Sequence, residues 1–333
     1  MKIFFVDDGW SDLADSKSKI LAAVREVLLT YPFVREVTSP AIADVILIEE
    51  KGSFKDFRYV ERLIKDPVIS AYTEKMFTIN TDDCATGLLR GLYTSLPRSR
   101  FNTAIHRAIP YMEYPNELVF NTSDKQTRPL YLASWRGNTR SNRLRPKMIA
   151  SLQPNPEFRF ETTDSWLNHQ LNEKKSYVDL MVNSKFCLCP AGWAPVSFRI
   201  YESMALGRCP VILADEFVPP QGPNWRKFAL FYPEHKVQDL KTFLRSHEFR
   251  YQDLGAKAFR AWDDYFSAGK IEKYCADHLV QLIRSTPPTS KREELQRWRS
   301  LRVYWRNKWT LPQRVMNKAR IWSEAVNKKV AML

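Results

Sequence analysis

No apolar run in this 333-residue chain approaches the roughly 20 residues that cross a bilayer as a helix. Its start also lacks the long apolar stretch and small-residue cleavage site of a signal peptide. Instead Lys2-Ile3-Phe4-Phe5-Val6 reads as a first core strand that stops at Asp7-Asp8-Gly9. A cytoplasmic location is expected, with peripheral attachment to the cytosolic face of a membrane as its variant. Cysteine is scarce. Cys84, Cys187, Cys189, Cys209 and Cys275 are scattered, and three of the five fall in apparent core strands, which suits free buried thiols and not a disulfide framework. Cys187 and Cys189 are two apart, as on one face of a strand; with no second Cys/His pair at ligand spacing, no zinc site is expected. The amino-terminal half holds a single histidine, His106, inside the apolar run Ala104–Ile109, where a satisfied core histidine is expected. No Asp-x-Asp occurs; Asp7-Asp8, Asp82-Asp83 and Asp263-Asp264 are adjacent pairs instead. Internal repeats and low-complexity segments are absent as well.

What is present is an α/β pattern in two series. With 44% hydrophobic residues the chain can build two ordinary cores. Strands are predicted at Ile3–Val6, Val45–Ile48, Phe77–Asn80 and Ala104–Ile109, and helices at Asp15–Thr30, Phe57–Lys65 and Asp83–Tyr93. Tyr114–Pro129 is rich in turn residues and poor in periodicity, so a boundary is expected there. A second series follows: strands at Leu130–Ser134, Arg159–Thr162, Lys185–Cys189, Cys209–Ala214 and Phe228–Tyr232, then helical runs at Lys236–Arg245 and Tyr251–Arg284. Thr286-Pro287-Pro288-Thr289 ends the last helix. The expected units are 1–122, 123–285 and a basic, Trp-rich helical segment 286–333.

The most informative stretch is Ser184–Pro220. It reads as a buried strand, a loop turning on Pro190, Gly192 and Pro195, a short helix and a second buried strand, hence a parallel βαβ unit with its loop at the carboxyl end of the first strand. Ser197 is the expected N-cap, which puts Arg199 in the first turn. A helix start with free N–H groups and a guanidinium suits a phosphate. Glu202, three residues on, shares that helix face, where a carboxylate can accept from both hydroxyls of a ribose. Phosphate and ribose recognition together predict a nucleotide handle.

These residues resemble the exostosin family of glycosyltransferases in order and spacing: the strand Phe186–Pro190, Gly192, Ser197–Phe198–Arg199, Glu202, Gly207, Pro210–Val211 and Asp215, continuing through Pro219 to Trp225 and Phe228. Upstream, Trp135–Arg136–Gly137 and the cluster Arg140, Arg143, Arg145 resemble the segment that opens the family's nucleotide-binding half. The resemblance covers roughly Leu130 to Ala261. It implies GT-B architecture, two Rossmann-like domains facing a cleft, here with a basic helical extension. It also implies inverting transfer from a nucleotide sugar, expected to be a UDP-sugar, to a glycan or lipid-linked glycan acceptor. Exostosins of animals and plants generally carry an amino-terminal membrane anchor, so this start implies a soluble, bacterial-style member. The amino-terminal Arg/Asp-His-Phe signature of many exostosins is not found.

The implied donor set is Arg136, Gly137, Arg140, Arg143, Gly192, Ser197, Phe198, Arg199 and Glu202, whereas Arg145 reads as a surface charge. Without Asp-x-Asp, arginines and the helix start are expected to stabilise the leaving diphosphate, with neither metal nor other cofactor. Inversion requires a base on the acceptor side. The candidates are strand-end acids, Asp8, Asp82, Asp83 and Glu113 foremost, with Asp7, Glu49, Glu50 and Tyr111 behind them.

From Lys291 to Leu333 there are 12 Lys/Arg against 3 acids, with Trp298, Trp305, Trp309 and Trp322 interleaved. Three readings stay open: terminal helices packed back across the domains, docking on an anionic membrane, and, least favoured, contact with nucleic acid. A nucleotide- or glycan-binding protein without turnover is the alternative to an enzyme.

Overall fold

The computed structural model describes residues 1–7, 9–15, 19–50, 59–83, 85–121, 128–164 and 170–300. It holds two parallel sheets. The first is built from β1 (Lys2–Val6), β2 (Arg35–Glu36), β3 (Val45–Glu49), β4 (Met76–Asn80), β5 (Arg90–Tyr93) and β6 (His106–Ala108), in the order β2-β1-β3-β4-β5-β6. The second comprises β7 (Tyr131–Gly137), β8 (Phe158–Thr162), β9 (Ser184–Pro190), β10 (Cys209–Leu213) and β11 (Leu230–Phe231), in the order β11-β10-β9-β7-β8. Every pairing within the two sheets is parallel. Counted from its first strand, each sheet runs second, first, third, fourth, fifth, and the first sheet adds a sixth. Both are thus doubly wound, with the reversal of strand order between their first and third strands. This is the expected α/β, GT-B arrangement.

Residue chemistry explains the layers. The central strands Val45–Glu49 and Met76–Asn80 are buried at every position, as strands covered on both faces must be. The helix Lys19–Leu29 turns Ile20, Val24 and Leu28 inward at a spacing of four residues. In the second unit the helix Tyr251–Tyr265 packs on the helix Phe198–Ala205 and on the turn that follows it, where two glycines meet. A Cβ on Gly255 would lie 2.2 Å from the carbonyl oxygen of Gly207, a contact only glycine permits.

One apolar cluster spans both units. It joins Ile3, Val24, Ile109 and Tyr111 to Cys189, Ile200, Tyr201 and Ala276. The helix Lys270–Ser285 packs on the helix Lys19–Leu29 and on β5 and β6, so the chain returns to the first unit before residue 285. The boundary expected at 122 lies outside the described residues.

Two predicted elements change form. Asp83–Tyr93 is no helix: Arg90–Tyr93 is a strand beside β4, where a Cβ on Gly91 would lie 2.0 Å from the Thr78 carbonyl oxygen. The Leu88, Leu89, Leu92 spacing imitates a helical stripe, and the close approach that needs Gly91 comes from the sheet. The run Tyr251–Arg284 is two helices, parted at Gly269, whose φ of 80° no ordinary residue adopts without strain.

The histidine expectation holds. His106 is buried, accepts at Nδ1 from Asn102 N at 3.0 Å and lies with Nε2 3.1 Å from the Gly87 carbonyl. Cys187, Cys189, Cys209 and Cys275 are free and buried, and desolvation pushes the Cys187 thiol up to about 12; Cys84 lies outside the described residues. Among the described residues no helix is long and apolar enough to cross a membrane.

Trp298 favours the packed-back reading for the start of the basic segment. The helix Lys291–Arg299 packs on the first unit, and Trp298 is 1% exposed in a core with Val6, Tyr59 and Leu89. Arg297 donates to the Leu88 carbonyl at 2.6 Å. This part braces the amino-terminal sheet; Trp305, Trp309 and Trp322 lie outside the described residues.

Candidate active site

A cavity of about 650 Å³ opens between the carboxyl edges of the two sheets, lined from both units. On the second unit it lies at the reversal of strand order, where β7 ends at Gly137 and β9 at Pro190. Open α/β sheets bind ligands at that crevice.

The donor-side wall begins at the loop after β9. A Cβ on Gly192 would come within 2.8 Å of the Arg145 guanidinium, so glycine there lets the cation approach. Arg145 donates from Nε to the Ala191 carbonyl at 3.0 Å and from Nη1 to the Asn138 carbonyl at 2.8 Å, with its guanidinium 5.5 Å from the Trp135 ring. Burial, then the charge of Arg199, lowers its pKa to about 10, against the pull of Asp83; it remains a cation at neutral pH.

Ser197 caps the next helix as expected: its backbone is extended and its hydroxyl accepts from Arg199 N at 3.4 Å. Arg199 is only 8% exposed and lines the cavity. Its guanidinium donates to the Arg136 carbonyl and lies 5.6 Å from the Trp135 ring and 5.4 Å from the Tyr177 ring, while Nε has no partner. Glu202, 2% exposed, accepts from the Tyr177 hydroxyl. Desolvation raises its pKa, and the Tyr177 hydrogen bond and the Arg199 charge oppose the rise.

The other donor-side candidates separate. Arg136 lines the cavity, but Glu161 at 2.9 Å and Glu173 at 3.6 Å offset its charge. Gly137, Gly192 and Phe198 also line it. Arg140 and Arg143 do not: both are exposed, and Arg140 lies 3.6 Å from Asp164. Arg145, read as a surface charge, is the member of that cluster that reaches the cleft. Its helix begins at Leu144, which turns Arg143 outward and Arg145 over the loop. Tyr177 carried no sequence signal at all; it comes from the separate helix Leu171–Val182.

The opposite wall carries Asp82, Asp83, Tyr111 and Glu113. Asp82 N donates to Asn80 Oδ1 at 3.1 Å, fixing the turn after β4. Asp83 Oδ1 accepts from Tyr111 at 2.8 Å and from Ser95 at 3.4 Å. Desolvation in the cleft raises the Asp83 pKa, and Tyr111, Ser95 and the Arg145 charge pull against it. Tyr111 does not suit the role of base, because burial and the neighbouring carboxylate push its pKa well above the ordinary value and leave it a donor. Glu49 and Glu50 do not line the cavity: Glu49 accepts from Leu21 N at 2.9 Å, and Glu50 takes hydrogen bonds from Tyr59, Thr78 and Asn80. Asp7 holds Gly9 N at 3.1 Å and also stands apart from the cleft, while Asp8 lies outside the described residues. Among the described residues no three His, Cys, Asp or Glu side chains are placed to hold a metal ion.

The Exostosin GT47 domain model matches residues 70–247. The probable glucuronosyltransferase GUT1 of Oryza sativa subsp. japonica is 42% identical over 74 residues, 22% of this chain and 18% of that protein. The probable beta-1,4-xylosyltransferase IRX10 of Arabidopsis thaliana is 41% identical over 73 residues, 21% of this chain and 18% of that protein. The matched stretch thus spans less than a fifth of these curated relatives. Among solved structures, TarM aligns with a TM-score of 0.40 and 9% identity over 68% of this chain and 57% of its own. Anabaena HepE in complex with UDP aligns with a TM-score of 0.39 and 10% identity over 84% of this chain and 100% of its own.

Proposed function

The chain belongs to the exostosin GT47 family, and from that premise we propose that it transfers a sugar from a nucleotide-sugar donor, a UDP-sugar, to a glycan or lipid-linked glycan acceptor. The observation that carries this reading is the Arg199–Glu202 pair, buried three residues apart on the wall of the cleft between the sheets. Buried charges at a ligand crevice imply a ligand that uses them. The second unit is the proposed donor domain and the first the acceptor domain.

In this reading Arg199 and Arg145 face the diphosphate and stabilise its charge as the glycosidic bond breaks. Glu202 accepts from the ribose hydroxyls, oriented by Tyr177. Asp83, on the opposite wall, takes the proton of the acceptor hydroxyl as its oxygen attacks the anomeric carbon. A single displacement inverts that carbon, and the nucleoside diphosphate leaves on the far side. Arginines supply the counter-charge, so the transfer is proposed to need no metal. The names of the relatives make glucuronosyl and xylosyl donors the first to screen. The remaining basic segment is proposed to hold the enzyme against the cytosolic face of an anionic membrane.

Thermal unfolding in the presence of a panel of nucleotides and nucleotide sugars tests the donor assignment. A ligand at one hundred times its Kd stabilises by about 2.7 kcal/mol, a readily measured shift. Arg199→Ala and Glu202→Ala should each weaken binding about 10- to 100-fold, the loss of one charge-assisted hydrogen bond. Wild-type affinity in both variants sinks the reading.

A further inference from the structure

We propose that Tyr111 is a positioning residue that ties the acceptor-side carboxylate Asp83 to the donor-side helix. Its hydroxyl donates to Asp83 Oδ1 at 2.8 Å, while its ring centroid lies 3.9 Å from that of Phe198. Phe198 opens the helix that carries Arg199 and Glu202. One side chain from the first unit thus touches the candidate base with its polar end and the nucleotide wall with its face. The role rests on the assignment of Asp83 as base.

The surroundings suit such a link. Tyr111 is 6% exposed, and its ring is further fenced by Tyr201, 6.4 Å away and edge-on. The buried Ser95 approaches the same Asp83 oxygen at 3.4 Å, so Asp83 is held from two loops that follow different strands of the first sheet. The groups that bear on Asp83 are the Tyr111 and Ser95 hydroxyls and, from the donor unit, the charge of Arg145; the acids Asp82 and Glu113 line the same wall. A tyrosine O–H that donates to a carboxylate stabilises its ionised form and holds its pKa down. The hydroxyl therefore keeps Asp83 ionised, and able to accept a proton, to a lower pH than burial alone allows.

The test pairs Tyr111→Phe, which keeps the ring, with a direct titration of Asp83. Full-length protein labelled with ¹³Cγ-aspartate is titrated by NMR, the Asp83 signal being identified by its loss in Asp83→Asn. In parallel, the pH profile of sugar-donor turnover is recorded as release of the nucleoside diphosphate. Tyr111→Phe should move both the Asp83 titration and the acid limb of kcat/KM to higher pH by about one unit, with UDP affinity unchanged. An unmoved Asp83 titration overturns the positioning role and leaves the base assignment standing. A titration that moves while the acid limb stays fixed overturns both, because Asp83 is then not the base. Ser95→Ala, a smaller change, should shift the titration the same way by less, and supplies the test if Tyr111→Phe does not fold. The second contact is read with Tyr111→Leu, which removes the ring beside Phe198. It should lower UDP affinity several-fold where Tyr111→Phe does not, and equal affinities in the two variants break the link to the donor wall.

Discussion

The Tyr177 hydroxyl donates to a carboxylate oxygen of Glu202 inside the cleft, with the face of the same ring 5.4 Å from the Arg199 guanidinium. One tyrosine therefore orients both groups assigned to the nucleotide. Glu202 must be ionised to accept from two ribose hydroxyls, and burial raises its pKa while Tyr177 and Arg199 hold it down. UDP binding should weaken as pH falls and Glu202 takes a proton. Tyr177→Phe removes one stabiliser of the ionised form, so the weakening should set in at higher pH, and the neutral-pH affinity should fall about 10-fold. Calorimetric titration with UDP between pH 5 and 8 checks this. A pH-independent affinity in the wild type counts against Glu202 as the ribose acceptor.

The leaving group sets a second expectation. Arg199 sits close enough for its charge to bear on Arg145, which is depressed to about 10 chiefly by burial and then by Arg199. Two cations kept near each other under desolvation are relieved by a polyanion between them. Transfer should therefore survive exhaustive chelation with EDTA, while Arg145→Met should lower turnover at least about 10-fold. Complete loss in EDTA, restored by Mn²⁺ or Mg²⁺, assigns the leaving-group charge to a metal instead.

Much of this site was legible because its key contacts are local. Ser197, Arg199 and Glu202 lie within six residues, so an N-cap and a three-residue spacing place them by helix geometry alone. Asp82 and Asp83 were readable as acids at a strand end. Tyr177 and Arg145 were not readable as partners, because they meet the pair only through the packing of separate helices on the sheet. Arg145 differs from Arg140 and Arg143 in nothing but its place on a helix turn, and a basic cluster does not announce which member points inward. Arg90–Tyr93 went wrong for a related reason. A four-residue strand is defined by its neighbours β4 and β6, and the leucines at 88, 89 and 92 imitate a helical stripe.

His106 links the first unit to pH. Burial foremost, with the charge of Arg297, lowers its pKa to about 3 from the ordinary 6.5, so the folded protein keeps it neutral where the unfolded chain takes up a proton. Between those values the unfolded state binds the extra proton, and stability must fall as pH falls through that window. The slope from this one group rises through pH 6.5 to a limit of about 1.4 kcal/mol per pH unit near pH 5. Urea unfolding at pH 7, 6, 5 and 4.5 should show it, flattened by that amount in His106→Gln. An equal slope in the two proteins means that His106 is protonated in the folded state.

The basic segment supplies the last prediction, and Trp298 decides where to cut. Because that ring is buried in the amino-terminal core and Arg297 bonds the Leu88 carbonyl, a deletion beginning before residue 300 removes a structural brace. Deleting 301–333 leaves the brace and removes eight Lys/Arg, one acid, Trp305, Trp309 and Trp322. If those residues meet an anionic membrane, each cation near the surface contributes about 1 kcal/mol, screened by salt, and the rings add interfacial burial. The full chain should then sediment with phosphatidylserine vesicles at low ionic strength and release as salt rises. The truncated chain should stay in the supernatant and keep its UDP affinity and melting temperature. Salt-sensitive retardation of an oligonucleotide, with no vesicle binding, assigns the segment to nucleic acid. A truncated protein that loses its melting transition assigns these residues, like Trp298, to the fold.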